Sequence, residues 1–449
     1  MSAPCLQDIR GCFEGIIPAI VATCSADGVP NVAYISQVFY ADEAHVALSF
    51  QFFNKTRQNI LANPYATALV IDPGTARFYR LRIRYLRTET EGALFEGMRA
   101  QLAGIASHSG MQGVFRLLGS DVYAVEEIEA LEGEPLAAPA PRPNLLGAVR
   151  RASERLARCT SLDEALNAVL ASASDHLGIR HAMVLMLDPA AQRLYTVASC
   201  GYATSGVGSE VGVGQGVIGM AARERTPVRI GHVTSAALYS QAMRSSFDAN
   251  VPDFEPVTEI PYPGLPQPHS QLAVPIQSGG RMLGVLFVES SQELQFSYEH
   301  EDALVAIAGH LGATIELMQA ATESVEAAAA PAASPAATRP SALAPLVVRH
   351  FPANASIFFG DDYVIKGVAG AILWKLLRDH QQLGRTEFSN RELRLDASLK
   401  LPDVSDNLEA RLLLLQRRLA EQEGAVRIEK TGRGRFRLVV QRGVELVQV

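Results

Sequence analysis

Two stretches of this chain lack any surface that packing could bury, and they set its architecture. Residues 132–143 (EGEPLAAPAPRP) and 320–345, the second almost wholly Ala, Pro, Ser and Thr, carry no periodic apolar face. Such composition makes semi-extended spacers. What remains is three blocks, residues 1–131, 144–319 and 346–449, each expected to close its own core. Their hydrophobic patterns differ throughout, so they are not repeats of one unit.

Composition narrows the class. With 48% hydrophobic and 19% charged residues the chain reads as globular, with ample core material. No run is expected to reach the roughly 20 apolar residues of a membrane helix. The start, MSAPCLQDIRGCFEG, lacks the basic-then-apolar order of a secretion signal. Five cysteines, an odd number without a C-x-x-C pair, fit reduced thiols in a cytoplasm better than disulfides or zinc. The net charge of −7 hides a division: residues 346–449 carry 17 Lys+Arg against 13 Asp+Glu, whereas the rest is acidic. Within that block, 411–442 holds nine basic residues and three acidic ones. An acidic body with a basic tip is the expectation.

The basic tip has a recognisable outline. Ser389-Asn-Arg-Glu392 is a capping box at a helix start. Pro402 and Ser405 interrupt the chain, and a longer helix runs to about Glu421. Leu408, Leu412, Leu415 and Leu419 share a core-facing stripe. Asn407, Arg411, Leu414 and Arg418 form a neighbouring ridge, whose polar members suit phosphates and base edges. After Gly424 the period becomes two, and Thr431-Gly-Arg-Gly434 turns a hairpin with Arg433, Arg435 and Arg437 at and beyond its tip. Entry strands are expected at 346–350 and 357–365, and a first helix at 368–380 with Trp374 in the core. Over about 346–440 this resembles a response-regulator type winged helix. The resemblance implies double-stranded DNA as partner, with Asn407, Arg411 and Arg418 in the major groove and Arg433 and Arg435 on the backbone. A helix and hairpin that contact only protein remain the alternative.

Block one reads as β-rich, with strands at 19–23, 30–38, 45–50, 67–72 and 78–90 and helices at 55–61 and 91–103. At 54–60 (NKTRQNI) a strand gives way to a helix whose first turn offers amides, a hydroxyl and two cations, a setting suited to phosphate. The same segment, Thr23-x-x-Ala-Asp-Gly28-x-Pro30-Asn31, Asn63-Pro64 and the late strand around 114–125 resemble the pyridoxamine 5′-phosphate oxidase-like split barrels over most of the block. The resemblance implies FMN, with Lys55 on its phosphate and Ser49, Thr56 and Asn59 along the flavin, in a homodimer. Relatives that bind heme make heme the alternative cofactor. The Arg-x-His pair of the true oxidase has no counterpart in 117–131, which argues against vitamin B6 oxidation.

Block two opens with a helix expected over 145–177, then strands at 182–187 and 194–199. A glycine-rich run, 212–219 (GVGQGVIG), precedes a short helix and a strand at 226–230. An irregular stretch, 235–268, holds six prolines, and a hairpin over 271–289 leads to a terminal helix ending near 319. Gly-x-Gly-x-Ile-Gly219, Val274-Pro-Ile276 and Leu283-Gly-Val-Leu resemble a GAF domain, a small-molecule sensor, without naming the ligand. His181, His232 and His269 are too scattered for a metal site. Cys200 is a candidate thiol sensor, but nothing nearby would lower its pKa, which favours an idle thiol.

The expected fold class is multidomain α+β: a split β-barrel, a GAF α/β sandwich with an antiparallel sheet, and a winged helix. The expected function is a cytoplasmic one-component transcriptional regulator, with a flavin-dependent oxidoreductase as the alternative.

Overall fold

The computed structural model describes residues 4–14, 17–35, 37–50, 54–108, 117–134, 136, 145–231, 260–328, 345–399, 401, 407–422 and 424–449. Pro402, Ser405, most of the two spacers and 232–259 of the proline-rich stretch lie outside them.

The N-terminal unit holds β1 (Ala19–Cys24), β2 (Pro30–Ile35), β3 (Val38–Tyr40), β4 (His45–Phe50), β5 (Tyr65–Ile71), β6 (Phe78–Glu89) and β7 (Gly119–Ala130). They form one antiparallel sheet in the order β2-β1-β5-β6-β7-β4-β3. Alternate residues of β1 point inward, as a pleat requires, and join Val46, Val70, Leu81 and Ile83 in the core. Register shifts between β6 and β7 at Arg82/Ile83 and Tyr85/Arg87 are the irregularities that bend long strands. The single strand expected over 30–38 is two strands at opposite edges of this order, so the chain crosses between the edges there. Helix α1 (Lys55–Ala62) follows β4, and α2 (Ala93–His108) connects β6 to β7.

In the middle unit the helix expected over 145–177 is two: α3 (Leu145–Leu156) and α4 (Leu162–Leu177). Ser161 restarts the helix, its hydroxyl accepting the Glu164 amide at 3.3 Å. Strands β8 (His181–Asp188), β9 (Arg193–Cys200), β10 (Glu210–Gly212), β11 (Val228–Ile230), β12 (Ser270–Ser278) and β13 (Arg281–Ser290) form a six-stranded sheet in the order β10-β9-β8-β13-β12-β11. Helix α5 (Gly216–Glu224) begins inside the glycine-rich run. Gly219 is needed there, because a Cβ would lie 2.2 Å from the Gly212 carbonyl oxygen.

Helix α6 (Tyr298–Ala328) continues past 319 into the stretch expected to be a spacer. Ala and Glu at its end are strong helix formers, which outweighs the missing apolar face. Its segment Tyr298–Thr322 is long and apolar enough to cross a membrane by length and composition, contrary to the expectation that no such run exists. Leu304, Ile307, Leu311 and Ile315 from that segment are buried in the core.

The C-terminal unit comprises β14 (Leu346–Phe351), β15 (Ser356–Phe359), β16 (Asp362–Ile365), α7 (Gly367–Leu383), β17 (Glu387–Ser389), α8 (Asn390–Leu395), α9 (Leu408–Ala420), β18 (Val426–Gly432), β19 (Arg435–Val440) and β20 (Val444–Gln448). The capping box at Ser389 and Glu392 is formed. Trp374 is only partly buried and stacks on His350 with ring centroids 4.5 Å apart. Two sheets flank the helices, β16-β15-β14-β20 and β17-β19-β18. The pairing of β20, parallel to β14, had no counterpart in the expected pattern.

Candidate functional site

At the end of β4 the chain turns into α1, and Asn54 caps it by accepting the Arg57 amide at 2.9 Å. Lys55 is exposed on the first turn. Thr56 accepts a hydrogen bond from the Asn31 amide at 3.0 Å. Asn59, 1% exposed, donates to the Thr23 hydroxyl at 3.1 Å. Both therefore tie α1 to β1 and β2. Ser49 lies opposite Ser120 in the β4–β7 register. Arg57 turns inward: it ion-pairs with Asp121, donates to Thr88 at 3.0 Å and lies 4.2 Å over the Phe50 ring. Burial disfavours its charge, but the bond and field of Asp121 outweigh that and keep it protonated. Asp121 was legible only as part of a strand; its partner is 64 residues away in sequence.

This donor set suits a phosphate monoester. A lysine stands at a helix N-terminus beside backbone amides, whereas Arg57 and Asn59 are engaged elsewhere. Among the described residues no group of three or more His, Cys, Asp or Glu is placed to hold a metal.

Between the barrel and the middle unit, Arg229 ion-pairs with Glu14 and, at 2.8 Å, with Glu301, and lies 4.3 Å over the Tyr298 ring. Glu14 also accepts the Tyr298 amide at 2.9 Å. Burial disfavours the Arg229 charge, yet the two carboxylates hold the guanidinium firmly protonated. In the middle unit, Glu289 is buried and accepts from the Leu265 amide at 2.8 Å and from Gln271 at 3.2 Å. Burial pushes its carboxyl above the usual range. Burial also raises the Cys200 thiol, consistent with low reactivity.

The ridge of α9 expected to face outward faces inward. Asn407 is buried and caps its own helix, accepting the Ala410 amide at 3.0 Å. Arg411, 5% exposed, meets Asp188 of β8 at 2.7 Å and lies 4.3 Å over Tyr195 of β9. Arg418 donates to the Val364 carbonyl in its own unit at 3.1 Å. Arg417, which the spacing did not single out, reaches Asp163 at 2.5 Å, Asn167 at 2.9 Å and the Val197 carbonyl at 2.8 Å. Its acidic partner lies 254 residues upstream, a pairing no local pattern announces. Arg433 and Arg435 stand exposed at the hairpin tip, where the turn was expected. A cavity of about 250 Å3 lies along this seam, lined in part by Asp163, Glu409, Gln416, Lys430 and Arg435.

Comparison with known families places the first two units. Residues 6–126 match the family described as pyridoxamine 5′-phosphate oxidase, and residues 159–316 match the GAF domain. The chain thus carries a pyridoxamine 5′-phosphate oxidase-like N-terminal domain and a GAF domain, a combination that suggests a sensory or regulatory protein. No match to the chain is found among curated proteins. Among solved structures, the GAF domain of an Acinetobacter phosphoenolpyruvate-protein phosphotransferase is 23% identical, covering 39% of this chain and 94% of its own, with a TM-score of 0.30. HupZ of Group A Streptococcus is 24% identical over 29% of this chain and 98% of its own, with a TM-score of 0.24. An FMN-binding protein from Syntrophomonas wolfei is 15% identical over 28% and 86%, with a TM-score of 0.24.

Proposed function

We propose that this protein is a one-component transcriptional regulator in which the barrel and the GAF domain receive signals and the C-terminal unit binds double-stranded DNA as a winged helix. The observation that carries the DNA reading is the pair Arg433 and Arg435, exposed on a hairpin tip that follows a basic helix, in the block with positive net charge. In this reading Arg433 and Arg435 take the phosphate backbone, and Arg411 and Arg418, with Asn407 at the head of α9, belong to the groove-facing helix. Replacing Arg433 and Arg435 with Ala should weaken duplex binding and flatten its salt dependence; unchanged affinity and slope would remove the hairpin from the interface.

FMN is the cofactor proposed for the barrel, with Lys55 on its phosphate, Thr56 and Ser49 beside it, and Asn59 supporting the helix from behind. The family match over residues 6–126 and the exposed lysine at the start of α1 support this. A homodimer is proposed through the outer face of β1, β2 and β5, where Val32, Tyr34 and Tyr65 are exposed. The visible spectrum of purified wild type and Lys55→Ala tests the assignment. A flavin band that dithionite bleaches, present in wild type and lost in the variant, is expected. A Soret band would replace flavin with heme. The same family match supports a second reading, a flavin-dependent oxidoreductase, which steady turnover of a reduced nicotinamide would favour.

A further inference from the structure

The surface most at odds with DNA binding is also the most informative one. Arg411 and Arg417 lie on the helix assigned to the groove, and both are spent on the GAF domain. Two nitrogens of Arg417 converge on one Asp163 oxygen, at 3.2 and 2.5 Å, with Asn167 and the Val197 carbonyl completing its set. Charge-assisted contacts of this kind are what a guanidinium makes with a phosphate. Arg411 is covered by Asp188 and the Tyr195 ring, and its helix sits between the middle unit and its own core. A duplex and the GAF domain cannot both hold these two side chains.

We propose that Asp163 and Asp188 form an intramolecular docking surface that competes with DNA for Arg411 and Arg417, so that the structure is the DNA-excluding state. The inference rests on the DNA-binding reading above. Ser205 donates to Glu421 and Lys366 lies 3.6 Å from Glu210 across the same seam, beside an apolar cluster that both units share. Part of the acceptor set lies on the sheet of the middle unit, whereas Asp163 and Asn167 lie on α4. Asp188 ends β8, Val197 offers its carbonyl from β9, and Glu210 opens β10. A ligand that shifts these strands changes the arginines' partners directly, and it releases the helix in proportion to its preference for the open arrangement. The cavity along the same seam leaves part of it unfilled, which lowers what separation has to overcome.

The test uses the full chain and a fluorescein-labelled mixed-sequence duplex at low salt, where phosphate contacts dominate affinity. Asp163→Asn/Asp188→Asn should bind about tenfold more tightly than wild type. Asp163→Asn alone, at a half-exposed position that folding tolerates, should shift affinity less but in the same direction. Glu132→Gln/Glu134→Gln removes the same charge from an exposed turn after β7 and should leave affinity near wild type. Arg411→Ala in the doubly substituted background should abolish the gain. Equal affinity of wild type and Asp163→Asn/Asp188→Asn, or an equal gain in the Glu132/Glu134 control, overturns the competition while leaving DNA binding standing. Failure of every protein, Asp163→Asn/Asp188→Asn included, to bind the duplex overturns the DNA reading and the competition with it.

Discussion

Arg229, between the barrel and the GAF domain, has a side chain 4% exposed and faces a Glu14 that is 8% exposed. Arg417, between the GAF domain and the C-terminal unit, is 20% exposed and faces an Asp163 that is 50% exposed. Apolar side chains back both seams, but they back them differently. At the first, α2 contributes Ala100 to the cluster of Val217, Ile230 and Phe287, and Tyr298 of the GAF domain packs on the barrel core. At the second, buried apolar side chains of both units share one cluster, and a cavity runs beside Asp163. An ion pair out of water is hard to break one side at a time, because the partner left behind is a buried charge. One with a half-exposed partner exchanges readily for water and salt. The difference lies between one seam closed by a buried cation and another that mixes a buried pair, Arg411 with Asp188 at 6% and 13% exposure, with a solvent-exchangeable one at Arg417.

The strongest challenge to that contrast is Arg229→Met. It leaves Glu14 and Glu301 without their shared cation and should cost about 3–5 kcal/mol, read as a fall in Tm by calorimetry. The companion Glu14→Leu in the same chain should recover part of the loss by removing one of the two stranded carboxylates, while Glu301 and the Tyr298 amide stay without their partners. A loss below about 1 kcal/mol in Arg229→Met would erase the distinction between the seams.

A smaller effect is expected from a contact inside the C-terminal unit. Asp396 meets Lys375 of α7 at 2.7 Å, and its bonds to Lys375 and Ser398 lower its carboxyl from 3.8 to about 2. A carboxylate with a depressed folded pKa stabilises above the unfolded value, and this contribution fades as pH falls from 3.8 towards about 2. The contribution is at most about 2 kcal/mol. Acid titration of wild type against Asp396→Asn should therefore show curves that diverge above pH 3.8 and converge below it. Parallel curves would mean that α7 and the end of α8 are tied by packing alone.

The smallest effect belongs to the second seam. Asp163→Asn should cost only about 0.5–1 kcal/mol, and adding salt to wild type should imitate it. Faster amide exchange in α9 without a matching fall in Tm is the expected signature. A Tm loss as large as that of Arg229→Met would make the two seams equivalent.

How much of this was legible in the sequence follows from the range of the interactions. The capping box at Ser389 closes over three residues, and the first turn of α1 is set by Asn54 and Arg57, so both could be read locally. The break before α4 was equally local, through Ser161 and Glu164, but the apolar period runs across 157–161 and masked it. Helix α6 outran its expected end: Ala and Glu favour helix there, and Thr322, beyond that end, is buried. The pairings that define the candidate sites were not legible. Arg57 with Asp121, Arg229 with Glu14, and Arg411 with Asp188 join residues from different elements, and no periodicity encodes which cation meets which carboxylate. The same limit explains the ridge of α9. Helical spacing places Asn407, Arg411 and Arg418 together, but it does not say whether solvent or another unit lies opposite.

The parallel pairing of β14 with β20 has a mechanical consequence. Leu346 stands opposite Val444, and His350 opposite Gln448, so the chain enters the pair at one end and leaves it at the other. A pull between the spacer and the C-terminal strand would load the hydrogen bonds of this pair together, in shear, instead of peeling them one by one. The segment between the two strands, the basic tip included, lies off that load path.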